Sequence, residues 1–430
     1  AIPPMIEIMG FLAPFIMNNI LIIGNGGRES ALGLKFLQSP QVAAVYVAPG
    51  NAGMPRLGLV PVDIDVDDFP SLIAFARQHA IALTFVGPEV PLAAGIVDAF
   101  QAADQPVFEP TKAAAQLEAR KAVAKAFMER HQLPTAASRT IHSLAAGQQT
   151  LIEAGVPLVF KADGLAAGKG VIVAKTNTEA EAALAQLYAR DPNATVVVEE
   201  CLTGQEASVL ALYHDGTYVT LPLAQDHKRR FDQDAGTNTG GMGAISPAPQ
   251  FTADERETAR HLVAQTIAGM VRDGLNGSGV LYIGVRFTKK GPKILEYNLR
   301  VGDPETQVLL PQIKNDFYQL ITDLLADRPT PLELDGQTYV GVVAAHPEYP
   351  GGTMNALPLA DVPADWPVGR WLPAGVQEKD GRLFSRGGRV FTVIGSGPDL
   401  ASAQGNAYGA IAEVQGPLAI RNDIGDKGLD

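Results

Sequence analysis

The chain of 430 residues is 46% hydrophobic and 19% charged, ordinary for a soluble protein long enough for roughly two to four domains. With 46 acidic against 34 basic side chains the net charge is −12, and no long basic run offsets it. That argues against a sequence-independent grip on nucleic acid, while local cations could still hold a phosphorylated small substrate. The single cysteine, Cys201, excludes an internal disulfide and a cysteine-based zinc site, and we read it as a buried, inert thiol. No apolar run reaches the length of a membrane span, and a reducing cytoplasm fits.

Residues 1–16 are apolar, broken by proline and without a basic leader, so they read as an upstream extension or cloning remnant outside the fold. From Met17 the pattern is strand, glycine turn, helix. Ile20–Ile23 suits a buried parallel strand, Gly24-Asn25-Gly26-Gly27-Arg28-Glu29 follows, and Leu32, Leu34 and Leu37 mark a helix. A glycine turn feeding a helix N-terminus is an anion site, but Glu29 stands where a dinucleotide fingerprint has its third glycine. The next strand, Ala43–Val47, leads to Ala-Pro-Gly-Asn-Ala-Gly at 48–53 with no acid placed for a ribose, so a nicotinamide cofactor is not expected. Strands at Ala82–Val86 and Val107–Phe108 complete a small doubly wound parallel sheet with ligands at its strand ends.

Thr111–His131 reads as one long helix carrying Lys121 and Lys125. Beyond it, Leu158–Phe160 and Val171–Ala174 flank a loop with Gly164, Gly168, Lys169 and Gly170, and Lys161 ends the first of these strands. Glycines admit close backbone approach to an anion and lysines supply its counter-charge, which is phosphate chemistry. The spacing is not that of a Walker loop, and a mobile hairpin with solvated lysines is the plain alternative. A helix at Glu179–Arg190, a strand at Thr195–Glu200 and a hairpin turned by Asp215-Gly216 follow. Asp234–Gly243 is too polar and glycine-dense for core, so it reads as a substrate loop. After a helix over 252–273, antiparallel strands Val280–Thr288 and Lys293–Tyr297 end in Glu296-Tyr297-Asn298. Alternation puts Glu296 and Asn298 on one strand face, an oxygen pair suited to magnesium, though a polar strand edge would look the same. Arg300, Asp303 and Glu305 follow at once, dense charge for a structural turn.

Together these residues resemble the ATP-grasp ligases, and within them the phosphoribosylamine–glycine ligase family, from Met17 to about Gly425. The resemblance rests on the motifs at 24–29, 48–53 and 87–89, on Lys-Ala-Asp-Gly-Leu-Ala-Ala-Gly-Lys-Gly-Val at 161–171, and on Gln-Asp-His-Lys-Arg at 225–229. Asn-Thr-Gly-Gly-Met-Gly-Ala at 238–244 and Gly-Asp-Pro-Glu-Thr-Gln at 302–307 complete it. It implies a multidomain α/β and α+β fold: an N-terminal substrate domain at 17–118, an ATP-grasp domain at 119–332 with a mobile part near 137–205, and a C-terminal domain at 333–430.

Carried over by position, the resemblance implies Lys121, Lys161, Gly168, Lys169 and Gly170 for the ATP phosphates, and Glu199, Glu200, Leu202 and Glu206 for adenosine. Glu296 and Asn298 become ligands of Mg2+, or of Mn2+ in its place. Gly26, Gly27, Arg28, Glu29, Asp226, Lys228, Asn238, Gly240, Arg300, Gly302, Asp303 and Glu305 would hold 5-phosphoribosylamine and glycine, with Lys161, Arg300 and Asp303 nearest the chemistry. The implied reaction is ATP-driven amide formation through an acyl phosphate, by a monomer acting on small molecules. Another ATP-grasp carboxylate–amine ligase and a non-catalytic nucleotide-binding protein are the alternatives. The chain departs from the family at Ser30 (usually His), Glu109 (Gly), Ala119-Arg120 (Gly-Ser) and Thr237 (Pro).

Overall fold

A computed structural model describes residues 17–165 and 170–429, and the expectation for residues 1–16 lies outside the described residues. Alternation along the Asn18–Gly24 strand sets the first layer. Ile20 and Ile22 enter one apolar cluster with Leu32 and Phe36, while Leu21 and Ile23 enter another with Leu72 and Phe100. A strand apolar on both faces must be covered on both, and helices Gly27–Leu37 and Phe69–Gln78 do so. The parallel sheet runs in the order Val60–Pro61, Val42–Pro49, Asn18–Gly24, Ile81–Val86. The expected strand at Val107–Phe108 does not form. Val107 makes only an isolated bridge to Thr84 between Pro106 and Pro110, which carry no amide donors, and Val60–Pro61 takes the fourth place at the opposite edge.

Thr111–His131 is likewise not one helix. It divides into Lys112–Ala119 and Lys121–Arg130 at Arg120, whose backbone is extended at φ −130° and ψ 107°. Asp163, from the glycine hairpin, accounts for the break. Its Oδ1 accepts the Ala122 N–H at 3.1 Å, an orphan amide of the second helix's first turn, and its Oδ2 pairs with Arg120 Nε at 3.1 Å. Lys121 therefore opens a helix beside the hairpin.

The small antiparallel sheet runs Ser138–Ile141, Val196–Glu200, Leu158–Ala162, Val171–Ala174. With helices Leu144–Ala154 and Asn177–Arg190 it closes a core of its own around Phe160, Leu184 and Val198. A second antiparallel sheet runs Thr217–Thr220, Gln205–His214, Ser278–Thr288, Gly291–Asn298. One of its faces shares a cluster with the N-terminal sheet through Leu212, Val280 and Phe36, and the other shares one with the C-terminal residues Val340 and Phe391. So three parts of the chain are joined by continuous core, and among the described residues the small body keeps a separate one.

A five-stranded antiparallel sheet joins Gln225–Asp226, Gly243–Ser246, Thr338–Ala345, Arg389–Gly397 and Trp371–Pro373. The polar stretch from Asp234 is thus partly structural. Ala235–Asn238 pairs with Arg229–Phe231, Met242 is buried, and Gly243 enters the sheet, where a Cβ would stand 2.6 Å from the Gly341 carbonyl. His227, next to the short Gln225–Asp226 strand, is buried, and its Nε2 accepts the Gly425 N–H at 3.2 Å. Arg421, wholly buried, pairs with Asp423 at 2.7 Å and Asp234 at 3.1 Å, so the C-terminal segment is tied down on this side.

Burial, with Lys427 and Arg421 nearby, lowers the His227 pKa from 6.5 to about 3. The unfolded chain takes up this proton below pH 6.5 and the folded chain only near 3, so stability is lost as pH falls through that window. His227→Gln removes the titration and can keep an acceptor for Gly425. The stability advantage of the natural chain over this variant, from urea unfolding, is expected to shrink between pH 7 and pH 4; a constant difference would refute the buried neutral imidazole.

Candidate active site

The small body, the N-terminal turn and the large antiparallel sheet enclose a cleft of about 1540 Å³. Of the residues expected at a site, the cleft is lined by Gly26, Arg28, Glu29, Lys121, Lys161, Gly170, Glu199, Glu200, Leu202 and Glu206. Asp226, Lys228, Asn238, Gly240, Glu296, Asn298, Arg300, Asp303 and Glu305 line it too. Gly27 and Gly302 do not; they are packing positions, where a Cβ would stand 2.9 Å from Gln307 Nε2 and 2.5 Å from Glu305 Oε2 respectively. Gly168 and Lys169 lie outside the described residues. Cys201 is half-buried on the cleft wall, not sealed in core, because it follows the last residue of the Val196–Glu200 strand.

At the hairpin end, Lys161 Nζ lies 2.8 Å from Glu199 Oε2 and donates to the Leu295 carbonyl at 3.2 Å. Glu199, 3% exposed, has its other oxygen 2.9 Å from Lys125 Nζ. It therefore faces two ammonium groups. Lys121 Nζ donates to the Gly164 carbonyl at 2.9 Å, and burial lowers its pKa against the pull of Glu296.

Along the sheet, Glu206 is engaged at both oxygens, by Lys228 at 2.7 Å and Arg286 at 2.6 Å, because Glu206 and Arg286 are cross-strand partners. Burial works against its ionisation, yet Lys228 and Arg286 hold the carboxyl at about 2. Lys228 also reaches Glu296 at 3.1 Å; burial opposes its charge, but Glu206 and Glu296 push its pKa well up. Lys228 in turn holds the Glu296 carboxyl low. Glu296 and Asn298, two residues along the same strand, both line the cleft. This set fits a magnesium ion that keeps its other positions for phosphate oxygens and water. Among the described residues no group of three or more His, Cys, Asp or Glu forms a self-sufficient metal cage.

At the far end, Glu29 accepts the Gly26 N–H at 2.6 Å through Oε2 and the Arg28 Nε at 2.6 Å through Oε1. Arg300 lies 3.2 Å from Glu118 and 3.6 Å from Glu89; burial opposes its charge, and these carboxylates more than restore it. Burial works against the charge of Asp303, but Arg389 and Arg28 hold it low. Burial and the nearby Glu305 raise the Asp226 carboxyl well above its usual range, and its Oδ1 is buried with no hydrogen-bond partner among the described residues.

Several cleft residues had gone unassigned. Lys125 falls one helical turn after Lys121, a spacing visible in the sequence. Arg286 could have been found by pairing the strands. Arg389 has no local motif: it arrives from the C-terminal sheet, donating to the Asp303 carbonyl at 2.7 Å and the Gly240 carbonyl at 2.9 Å.

Residues 18–118, 119–306 and 339–427 match, in order, the N, ATP-grasp (A) and C domains of phosphoribosylglycinamide synthetase. The chain belongs to that family. It is 45% identical over 414 residues to a phosphoribosylamine–glycine ligase of Lactococcus lactis subsp. lactis, covering 95% of this chain and all of that one. A phosphoribosylamine–glycine ligase crystal structure from Thermotoga maritima superposes with a TM-score of 0.81 at 30% identity, over 94% of this chain and 100% of that one. A biotin carboxylase domain of Hydrogenobacter thermophilus 2-oxoglutarate carboxylase shares the fold alone, with a TM-score of 0.71 at 13% identity, covering 94% and 91%. The fold is thus common to distant enzymes, and the synthetase family is distinguished by its three matched domains and by identity, 45% and 30% against 13%.

The synthetase turn at 24–29 depends on Gly87, whose added Cβ would overlap the Glu29 carboxylate. Gly87→Ala is expected to cost about 2 kcal/mol of stability by urea unfolding. Part should return in Gly87→Ala/Glu29→Ala, where the obstruction is gone; an unshifted single variant would show that the approach is not close.

Proposed function

We propose that the cleft joins glycine to 5-phosphoribosylamine at the expense of ATP, giving glycinamide ribonucleotide, ADP and phosphate, a step of purine biosynthesis. One observation carries the assignment of roles: phosphate-type lysines, a carboxylate–amide metal pair and a glycine turn with Arg28 and Arg300 share one cleft. The glycine carboxylate attacks the γ-phosphorus, ADP departs, and the phosphoribosylamine nitrogen attacks the resulting acyl phosphate as phosphate leaves. Lys161 and Lys121 meet charge on the transferring phosphoryl group, a task of positioning more than of covalent catalysis. Bound at Glu296 and Asn298, Mg2+ would neutralise phosphate charge. The Gly26–Glu29 turn, Arg300 and Asp303 would orient the ribose phosphate and amine. We read residues 137–205 as the part that closes over the nucleotide, since this body has its own core, and closure would keep water from the acyl phosphate. The cleft residues named above come from one chain and the net charge is −12, in keeping with our reading of a cytoplasmic monomer acting on small molecules without nucleic acid. No described helix is long and apolar enough to cross a membrane.

ADP release by the purified protein, with each substrate omitted in turn, tests the assignment. Release is expected to require glycine as phosphoryl acceptor and to slow sharply without phosphoribosylamine. Alanine in place of glycine should lose most of the rate, its methyl group having to fit a small pocket. Rapid release with some other acid and amine, and none with this pair, would favour another ATP-grasp ligase; nucleotide binding without turnover would favour a binding protein.

Glu296→Gln keeps the shape of the side chain and removes the charge that Mg2+ prefers. Half-saturating Mg2+ is expected to rise at least about tenfold, read both from turnover and from Mn2+ binding by electron paramagnetic resonance. An unchanged metal requirement would place the ligands elsewhere.

A further inference from the structure

We propose that Lys125 is a positioning residue for phosphoryl transfer, fixing the Glu199 carboxylate and through it the Lys161 ammonium across the junction between the small body and the rest of the molecule. The inference rests on the ligase reading for its chemistry and on distances for its geometry. Lys125 sits one turn along the helix that Lys121 opens, so both project on the same side. Its side chain is only 9% exposed, and its ammonium group is spoken for in three directions. It donates to Thr135 Oγ1 at 2.7 Å and to the Ala136 carbonyl at 3.2 Å, and lies 2.9 Å from Glu199 Oε1. Two hydrogen bonds and one ion pair, all to protein oxygens, thus already engage this ammonium. Lys125 acts through its partners.

Those partners belong to different parts of the chain. Thr135 and Ala136 lie on the segment that leads from the Lys121–Arg130 helix into the small sheet. The Thr135 hydroxyl passes the connection on, donating to the Ile294 carbonyl at 2.7 Å, on the strand that carries Glu296 and Asn298. Glu199 lies on the small sheet, next to the strand that presents Lys161. Lys161 donates to the Leu295 carbonyl, pairs with Glu199 Oε2 and lines the cleft. Where its ammonium sits depends on where Glu199 is held, and Lys125 holds that carboxylate from the other side. A buried lysine is costly where only packing is needed, and a methionine would fill similar space without the cost.

The test is a double-mutant cycle of Lys125→Met and Glu199→Gln, followed by calorimetric binding and by turnover. Lys125→Met leaves Glu199 with a single cation, free to draw Lys161 out of line. Affinity for a non-hydrolysable ATP analogue with Mg2+ is expected to fall about tenfold while ADP affinity stays within about threefold, since Lys161 addresses the γ-phosphate. In turnover, kcat is expected to fall about 100-fold. In the Glu199→Gln background the same change should cost less than about threefold in each readout, because the carboxylate through which Lys125 acts is already neutral. An equal loss in both backgrounds, or equal weakening of ADP and the ATP analogue, would overturn the proposal in favour of a purely structural lysine. Should Lys125→Met fail to fold, Lys125→Arg retains the charge but cannot place one compact ammonium against all three acceptors. It is expected to lower kcat at least about tenfold relative to the natural chain, and full activity would overturn the proposal. If the natural chain itself releases no ADP with glycine and phosphoribosylamine, the ligase reading falls. The binding cycle then judges Lys125 by itself.

Discussion

A cleft that must receive polyphosphate has to gather positive charge before the ligand arrives, inside a chain whose net charge is −12. Gathered cations repel one another and lose hydration, so each needs a carboxylate beside it. Glu199 stands between Lys125 and Lys161, Glu206 between Lys228 and Arg286, and Arg300 lies against Glu118 and Glu89. The consequence is kinetic as well as structural. A ligand phosphate meets ammonium groups already fixed in place, so little reorganisation remains to be done at the moment of transfer. Acidic composition and a phosphate site are therefore compatible, because the acids that give the chain its sign also hold its cations.

These pairs also explain how parts with separate cores make one site. Among the described residues the small body shares no continuous apolar cluster with the other sheets, and apolar packing alone would not fix its attitude. Polar links do cross the junction: Lys125 to Glu199, Lys161 to the Leu295 carbonyl, and Arg120 to Asp163. Polar contacts at a boundary can be exchanged for contacts with a ligand at modest net cost, since each is worth only about 1 kcal/mol in balance. Apolar contacts could not be exchanged in this way for a charged nucleotide. The character of the junction thus suits the closing role proposed for residues 137–205.

What the sequence disclosed and what it hid divide along physical lines. The glycine turn at 24–29, the hairpin around Lys161 and the Glu296–Asn298 pair were legible because their chemistry is local: a few adjacent residues set both geometry and charge. Three of the four parallel strands were legible for the same reason, each carrying a mostly apolar run, whereas the strand expected at Val107–Phe108 does not form. The break at Arg120 was not, since a carboxylate 43 residues away causes it. Nor was the strand at Val60–Pro61, too short to show a pattern. Arg389 reaches the cleft only because a five-stranded sheet takes strands from two distant stretches. Glu199 and Glu206 were found as cleft residues, but their lysine and arginine partners follow from register and packing across strands, which no short motif records.

The departures from the family pattern fall where the structure can absorb them. Ser30 does not face the cleft: it is wholly buried, and its hydroxyl donates to the Pro373 carbonyl at 2.6 Å, fastening the first helix to the C-terminal sheet. Arg120 occupies the residue before Lys121, and its ion pair with Asp163 reinforces the helix start that aims Lys121 at the hairpin. Glu109 is different. It is 1% exposed, and neither carboxyl oxygen has a hydrogen-bond partner among the described residues. Burial raises its pKa well above the usual carboxylate value, against the pull of Arg28 and Arg300. A carboxylate ionised at that depth would compete with an incoming phosphate for Arg28 and Arg300. The upward shift weakens that competition, so a substitution that looks disruptive on paper is compatible with the anion site proposed at Arg28 and Arg300.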